Sequence, residues 1–121
     1  MRDFHTLKIW EKSHQLVLEI YRATQTFPSS EMYGLTSQMR RAGSSIPANI
    51  AEGCGRDTNP ELAHFCQVAA GSASELEYHL LLAHDLKLLD DSTYTTLNQQ
   101  VNEVKRMLNA FIQKLRLKSK T

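Results

Sequence analysis

The chain has 121 residues, a net charge of +1, 41% hydrophobic residues, five glycines and three prolines. This length suits one domain with its own core, and so few glycines and prolines exclude long irregular segments. Cys54 and Cys66 lack the spacing of a metal knuckle or a disulfide framework, so we interpret both as reduced core thiols. There is neither a signal peptide nor an apolar run of membrane length, and we therefore expect a cytoplasmic protein.

The first predicted helix covers about residues 7–26, with Thr6 as its N-cap and Phe27-Pro28 at its end. Two apolar stripes run along it at helical spacing. One stripe contains Leu7, Trp10, His14, Val17, Tyr21 and Thr24. The other contains Ile9, Leu16, Ile20, Ala23 and Phe27. Together they form an apolar face wider than a single helix–helix contact requires.

The second predicted helix covers about residues 31–53 and contains a proline in its middle. Its apolar positions are Met32, Leu35, Met39, Ala42, Ile46 and Ile50. Pro47 removes a backbone donor and crowds the Gly43 carbonyl, at a cost of roughly 3 kcal/mol. Small residues at 43–45 can accommodate a bend, so we predict a kink at Pro47.

The third and fourth predicted helices cover about residues 60–88 and 92–117. Asn59-Pro60-Glu61 is typical of a helix start, with Asn59 as the cap. Gly71 costs about 1 kcal/mol relative to alanine, so we expect close packing of another helix there. The third helix has its apolar positions at Leu62, Phe65, Cys66, Ala69, Ala73, Leu76, Leu80 and Ala83. The fourth has Tyr94, Leu97, Val101, Val104, Leu108, Phe111 and Leu115.

Helices of this length joined by short loops predict an all-α fold. The specific architecture is an antiparallel up-and-down four-helix bundle, formed by residues 1–121 as a single domain. No alternation of apolar and polar residues indicates a competing strand.

Catalytic patterns are weak in this sequence. Two Glu-x-x-His pairs, Glu11/His14 and Glu61/His64, have the spacing used by di-metal sites in helical bundles. The helical wheel turns Glu11 and His64 away from the core, and the second and fourth helices supply no inward acid. No nucleophile triad or phosphate-binding glycine loop is evident. We predict no enzymatic activity, metal, cofactor or small-molecule substrate.

The outward faces of the second and third helices combine charged, small and aromatic residues, which is typical of a subunit interface. The predicted interface residues are Arg41, Ser45, Asn49, Glu52, Gly71, Glu75 and Tyr78. We expect Arg41 and Glu52 to be charge partners within or between chains; the alternative is a solvated arginine with a buried stem. Glu75 and His79 are interpreted as an exposed pair one turn apart; the alternative is that they bind a metal or exchange a proton.

Positive charge is concentrated at the end of the chain, where residues 101–121 carry +5 and the remainder carries −4. Either these cations complement the helix dipole, or they meet phosphates. The predicted nucleic-acid contacts are Arg40, Lys105, Arg106, Lys114, Arg116 and Lys118. Because no aromatic residues interleave with these cations, base-specific recognition is not predicted.

The segment 38–56 contains Gln38, Arg41, Ser45-Ile46-Pro47, Asn49-Ile50, Glu52-Gly53 and Arg56. It resembles the four-helix bundle family called 23S rRNA intervening-sequence proteins or S23 ribosomal proteins, and the likeness runs from about Phe4 to Leu115. Gly43 and Cys54 depart from the alanine and aromatic residue usual in that family. The resemblance implies a non-enzymatic homo-oligomer, typically a ring of five, that engages RNA or a ribonucleoprotein. The alternative function is a protein-binding adaptor with no affinity for nucleic acid.

Overall fold

A computed structural model describes residues 1–119, which form four α-helices. Helix α1 spans Lys8–Thr24, α2 spans Leu35–Cys54, α3 spans Asn59–Asp85 and α4 spans Asp91–Ser119. Short 3-10 turns at Phe4–Thr6 and Ser29–Glu31 precede α1 and α2. Residues 1–119 contain no strand, so the predicted all-α, single-domain fold is confirmed. None of these helices combines the length and apolarity needed to cross a membrane.

Each helix packs against two neighbours, in the order α1, α2, α3, α4 and back to α1. Within the described residues, α1 does not contact α3 and α2 does not contact α4, so these pairs lie on the diagonals. Arg41 contacts Glu75 and Ser45 contacts Ser72, so residue numbers increase along α2 while those of the contacting residues decrease along α3. The α3–α4 pair shows the same reversal, because Glu77 meets Lys105 and His84 meets Asp91. On α1 and α2, Thr24 meets Arg40 and Ile20 lies beside Gly43. Since each consecutive pair is reversed, α4 also runs opposite to α1. Neighbouring helices therefore run antiparallel.

Side-chain caps fix where α3 and α4 begin. The Thr58 hydroxyl accepts a hydrogen bond from the Glu61 amide at 3.2 Å and donates one to Glu61 Oε1 at 2.9 Å. The bond from the Glu61 amide makes Thr58, rather than the predicted Asn59, the N-cap of α3. Asp90 Oδ1 accepts a hydrogen bond from the Thr93 amide at 2.7 Å near the start of α4.

The starts of α1 and α2 differ from the sequence expectation. Leu7 is the N-cap of α1, because the Thr6 hydroxyl donates instead to the Asp3 carbonyl at 2.7 Å. The predicted Thr6 cap is therefore wrong. Helix α2 begins at Leu35, after Gly34, because the residues just before it form the separate 3-10 turn.

The two apolar stripes on α1 are buried to different degrees. Ile9, Leu16 and Ile20 of one stripe are buried. The other stripe is divided, because Val17 and Thr24 are buried, Trp10 is only partly buried and Tyr21 is exposed. A helix with two neighbours buries one side, so the residues of the second stripe that turn away from that side remain at the surface. The fully buried large side chains that fill the centre are Leu16, Ile20, Met39, Ile46, Ile50, Leu76, Leu80, Val101, Val104, Leu108 and Leu115.

Helix α2 continues through Pro47, whose side chain is buried. Asn49 Nδ2 donates to the Ser45 carbonyl at 2.8 Å and to Ser45 Oγ at 2.9 Å, so a polar side chain bonds the backbone beside the proline. The kink at Pro47 stays a prediction.

Two thiols lie in the core close to the α2–α3 contact. Cys54 and Cys66 are both buried and both free. Burial raises the pKa of each thiol, that of Cys66 to about 12. The cysteines therefore serve as small apolar core groups in their neutral form.

Candidate interaction surfaces

The predicted interface residues lie at the seam between α2 and α3 or on the outward side of these two helices, and we call this region the α2–α3 surface. Its centre is a hydrogen bond of 2.9 Å between the hydroxyls of Ser45 and Ser72, both half-buried. The remaining members of the surface are Arg41, Asn49, Glu52, Gly71, Glu75 and Tyr78. The hydroxyl pair and the bonds from Asn49 satisfy the half-buried hydroxyls of Ser45 and Ser72.

The charged residues of this surface pair differently from the expectation. Arg41 Nη2 lies 3.5 Å from Glu75 Oε2, whereas Glu52 pairs with Arg56 on its own helix at 3.2 Å. The expected partnership of Arg41 with Glu52 is not formed within the chain. The Arg41 side chain is 71% exposed, so its ion pair contributes only about 0–1 kcal/mol and leaves the guanidinium accessible.

Gly71 faces outward, and a Cβ placed on it would meet no atom within 4 Å. The close helix contact predicted at Gly71 is therefore absent within the chain. Close approach occurs instead at Gly53, where a Cβ would lie 2.8 Å from Leu62 Cδ1 and 2.9 Å from Phe65 Cβ. The outward face around Gly71 also exposes apolar side chains, namely Val68, Tyr78 and Leu81.

His79 is a buried polar residue that the sequence analysis placed at the surface. It is 6% exposed, its Nε2 lies 3.9 Å from Glu75 Oε2, and its Nδ1 has no hydrogen-bond partner. Burial lowers the pKa of His79, while the carboxylate of Glu75 opposes part of this change. Its position three residues after buried Leu76 is the sequence feature that indicates burial.

The cations on α4 fall into two groups. Lys105 Nζ lies 2.7 Å from Glu77 Oε1, and Asn102 Nδ2 donates to Glu77 Oε2 at 3.1 Å. The hydrogen bond from Lys105 is the main reason that the pKa of Glu77 is lowered, and the pair compensates the charge of Lys105. The exposed cations farther along the helix are Arg106, Lys114, Arg116 and Lys118. We call these four residues the α4 basic surface.

Arg40 is separated from the α4 basic surface because α2 and α4 lie on a diagonal of the bundle. Its Nε donates to Thr24 Oγ1 at 2.9 Å, and its Nη2 donates to the Tyr21 carbonyl at 3.5 Å. Its guanidinium carbon lies 4.6 Å from the centre of the Tyr21 ring. The structure therefore does not bring the six predicted nucleic-acid contacts together on one face.

The Glu-x-x-His pairs do not point to a shared internal site. Glu11, His14, Glu61 and His64 are all exposed. Among residues 1–119, no group of three histidine, cysteine, aspartate or glutamate side chains could hold a metal ion.

The geometry defines a four-helix bundle whose candidate sites lie on its outward faces. The profile of the 23S rRNA-intervening sequence protein family matches residues 5–110, and the chain belongs to this family, as the sequence resemblance predicted. Lys114, Arg116 and Lys118 lie beyond the matched range.

A solved structure supports the same assignment of the fold. It is the crystal structure of a protein with unknown function from the S23 ribosomal protein family of Bacteroides thetaiotaomicron. The two structures share a TM-score of 0.78 and 23% sequence identity, over 86% of this chain and 97% of the other. At this identity the similarity establishes a shared fold. No curated protein matches the chain.

Proposed function

We propose that the protein is a non-enzymatic, cytoplasmic, homo-oligomeric scaffold that binds RNA phosphates through the α4 basic surface. The observation that carries the proposal is the charge of residues 104–118, which contain five lysines and arginines and no acid. Lys105 pairs with Glu77, and the four members of the α4 basic surface are exposed. Exposed cations attract phosphates irrespective of sequence, so we expect affinity for RNA without base specificity.

Oligomerisation is the second part of this proposal. The outward face of α3 exposes 59% of Tyr78 and 43% of Leu81 beside open space at Gly71. Aromatic and apolar side chains around a glycine favour packing against another subunit. We propose that the α2–α3 surface and this face of α3 form the subunit contact, and five is the ring size that the family resemblance implies.

The RNA part is tested by fluorescence anisotropy of a structured RNA at about 50 and 200 mM salt, since phosphate contacts make affinity fall steeply with salt. The variant Lys114→Glu should weaken binding and reduce the salt dependence. Lys87→Glu is the matched control, because it changes the net charge equally in the α3–α4 loop. An absence of binding at low salt would overturn the RNA part and favour a protein-binding adaptor.

The oligomer part is tested by light scattering on Gly71→Gln. Glutamine favours helix over glycine, and its Cβ would meet no atom of the chain, so each bundle should remain folded while the subunit contact is obstructed. The expected result is a lower mass than that of the wild type. Ala110→Gln introduces the same side chain at an exposed position of α4 and should preserve the mass. Equal masses for all three proteins would contradict this subunit contact.

A further inference from the structure

A cavity of about 490 Å³ lies between α1 and α2, beside the loop that joins them. Its lining includes Arg40, Arg41, Tyr21, Tyr33 and two serines, and contains no acidic residue. The volume falls within the range of roughly 300–1,000 Å³ that is usual for small-ligand sites. Arg41 is paired with Glu75 outside the lining, so Arg40 is the main source of positive charge in a space large enough for an organic anion.

Arg40 is held in position before any ligand arrives. The Thr24 hydroxyl, the Tyr21 carbonyl and the Tyr21 ring fix its guanidinium on three sides. Two of its five N–H donors are used in these bonds, and among residues 1–119 it forms no ion pair with a carboxylate. A guanidinium that is already ordered loses little conformational entropy on binding, and its remaining donors match the oxygens of a phosphate.

Arg56 shows what a neutralised arginine looks like in the same bundle. Its guanidinium carbon also stacks over an aromatic ring, 4.9 Å from the centre of Phe65, but it pairs with the carboxylate of Glu52 at 3.2 Å. Arg40 likewise stacks over an aromatic ring, that of Tyr21, but within the described part of the chain it has no carboxylate partner such as Glu52. The comparison indicates that the positive charge of Arg40 is available to a ligand from outside the chain.

Tyr33 supplies the second half of the site. Its side chain is 96% exposed although it borders the cavity, and the neighbouring Met32 is 48% exposed. An aromatic ring with an open face is a stacking platform for a nucleobase. The cavity therefore combines an ordered cation with an open aromatic ring, which are the two groups that recognise a nucleotide.

We propose that the α1–α2 cavity binds a nucleotide unit, with its phosphate on Arg40 and its base stacked on Tyr33. This phosphate belongs either to a free nucleotide or to the end of an RNA strand. This site does not depend on RNA binding by the α4 basic surface, because α2 and α4 lie on a diagonal of the bundle.

Isothermal titration calorimetry of the full chain with adenosine 5′-monophosphate and with inorganic phosphate tests the proposal. Arg40→Gln should weaken binding of the nucleotide about 10- to 150-fold, the usual effect of losing hydrogen bonds to a charged group. Tyr33→Ala should weaken it about 5- to 150-fold through lost stacking. Arg56→Gln is the matched control and should bind as the wild type does. Tyr33 is so exposed that its removal leaves the fold intact, which keeps the test decisive if Arg40→Gln unfolds.

Short RNAs with and without a 5′ phosphate distinguish the two sources. Tighter binding of the phosphorylated strand than of the mononucleotide would support a strand end, and the reverse would support a free nucleotide. The proposal is overturned if neither the nucleotide nor phosphate binds, or if Tyr33→Ala binds the nucleotide unchanged. Loss of RNA binding in Lys114→Glu with retained nucleotide binding would separate this site from the α4 basic surface.

Discussion

The two sides of α3 have similar small residues and opposite surroundings. On the inner side, Ala69, Ala73 and Leu76 are completely buried against the neighbouring helices. On the outer side, Gly71 faces open space and Leu81 is 43% exposed. A run of small residues therefore does not by itself locate a close helix contact, because in α3 the same run supplies both the core and a surface available to another molecule.

The largest expected difference between the two sides of α3 is the loss of stability when one leucine on each side is replaced by alanine. Leu76→Ala leaves a cavity in a completely buried position and should destabilise the protein by about 2–5 kcal/mol. Leu81→Ala removes the same atoms from the exposed side and should change the stability of a single bundle by about 0.5 kcal/mol or less. Urea denaturation of both variants measures the difference. Equal losses at low protein concentration would contradict the assignment of the two sides.

The next largest change in stability is expected when a methyl group is added at Gly53. At Gly53 a Cβ would lie 2.9 Å from Phe65 Cβ and 3.3 Å from the Leu62 carbonyl, so the helices must shift. Overpacking of this kind costs about 1–3 kcal/mol and exceeds the gain of about 1 kcal/mol in helix propensity. We therefore expect Gly53→Ala to lower the midpoint of urea denaturation; a higher midpoint would show that the two helices separate easily at this position.

Gly71→Ala should act in the opposite direction, because its methyl group meets no atom of the chain. The expected gain is about 1 kcal/mol for an isolated bundle, from helix propensity alone. Thermal unfolding at several protein concentrations measures it. A loss that appears only at high concentration would place Gly71 in a subunit contact and sharpen the proposed role of the outer side.

The smallest expected effect is a pH dependence from His79. Because burial lowers its pKa below the usual 6.5, the unfolded chain binds a proton more readily than the folded one as the pH falls through that value. Stability should therefore decrease below about pH 6.5 and recover above it. His79→Leu should flatten this region of the stability profile. An unchanged profile would show that other groups, with Glu75 and Arg41 nearest to His79, control it.

The sequence pattern predicted most of the inner sides of α2, α3 and α4 because each has one apolar stripe at helical spacing. Two positions differ, because Met32 lies before α2 and is exposed, and Ile112 is buried where Phe111 was predicted. On α1 two stripes were present, and periodicity could not tell that Val17 would be buried while Tyr21 of the same stripe would stay exposed. His79 was also predicted to be exposed, because its polar ring was given more weight than its position three residues after buried Leu76.

The candidate sites were less predictable than the fold because they depend on contacts between helices. The seven predicted interface residues lie on α2 and α3, and their role in a subunit contact stays a prediction. The partner of Arg41 within the chain was not predicted, because Glu75 reaches it from another helix. The cavity beside Arg40 needed coordinates, since Tyr21 and Tyr33 are separated from it in sequence by a loop and a helix turn.

The buried thiols of Cys54 and Cys66 have a practical consequence for measuring all of these effects. Their raised pKa values and burial make them inert to alkylating reagents while the bundle is closed, and reactive once it opens. The rate of alkylation under native conditions therefore reports the opening of the core without any added probe. A cysteine introduced on the surface could also be labelled selectively, with both native cysteines left in place.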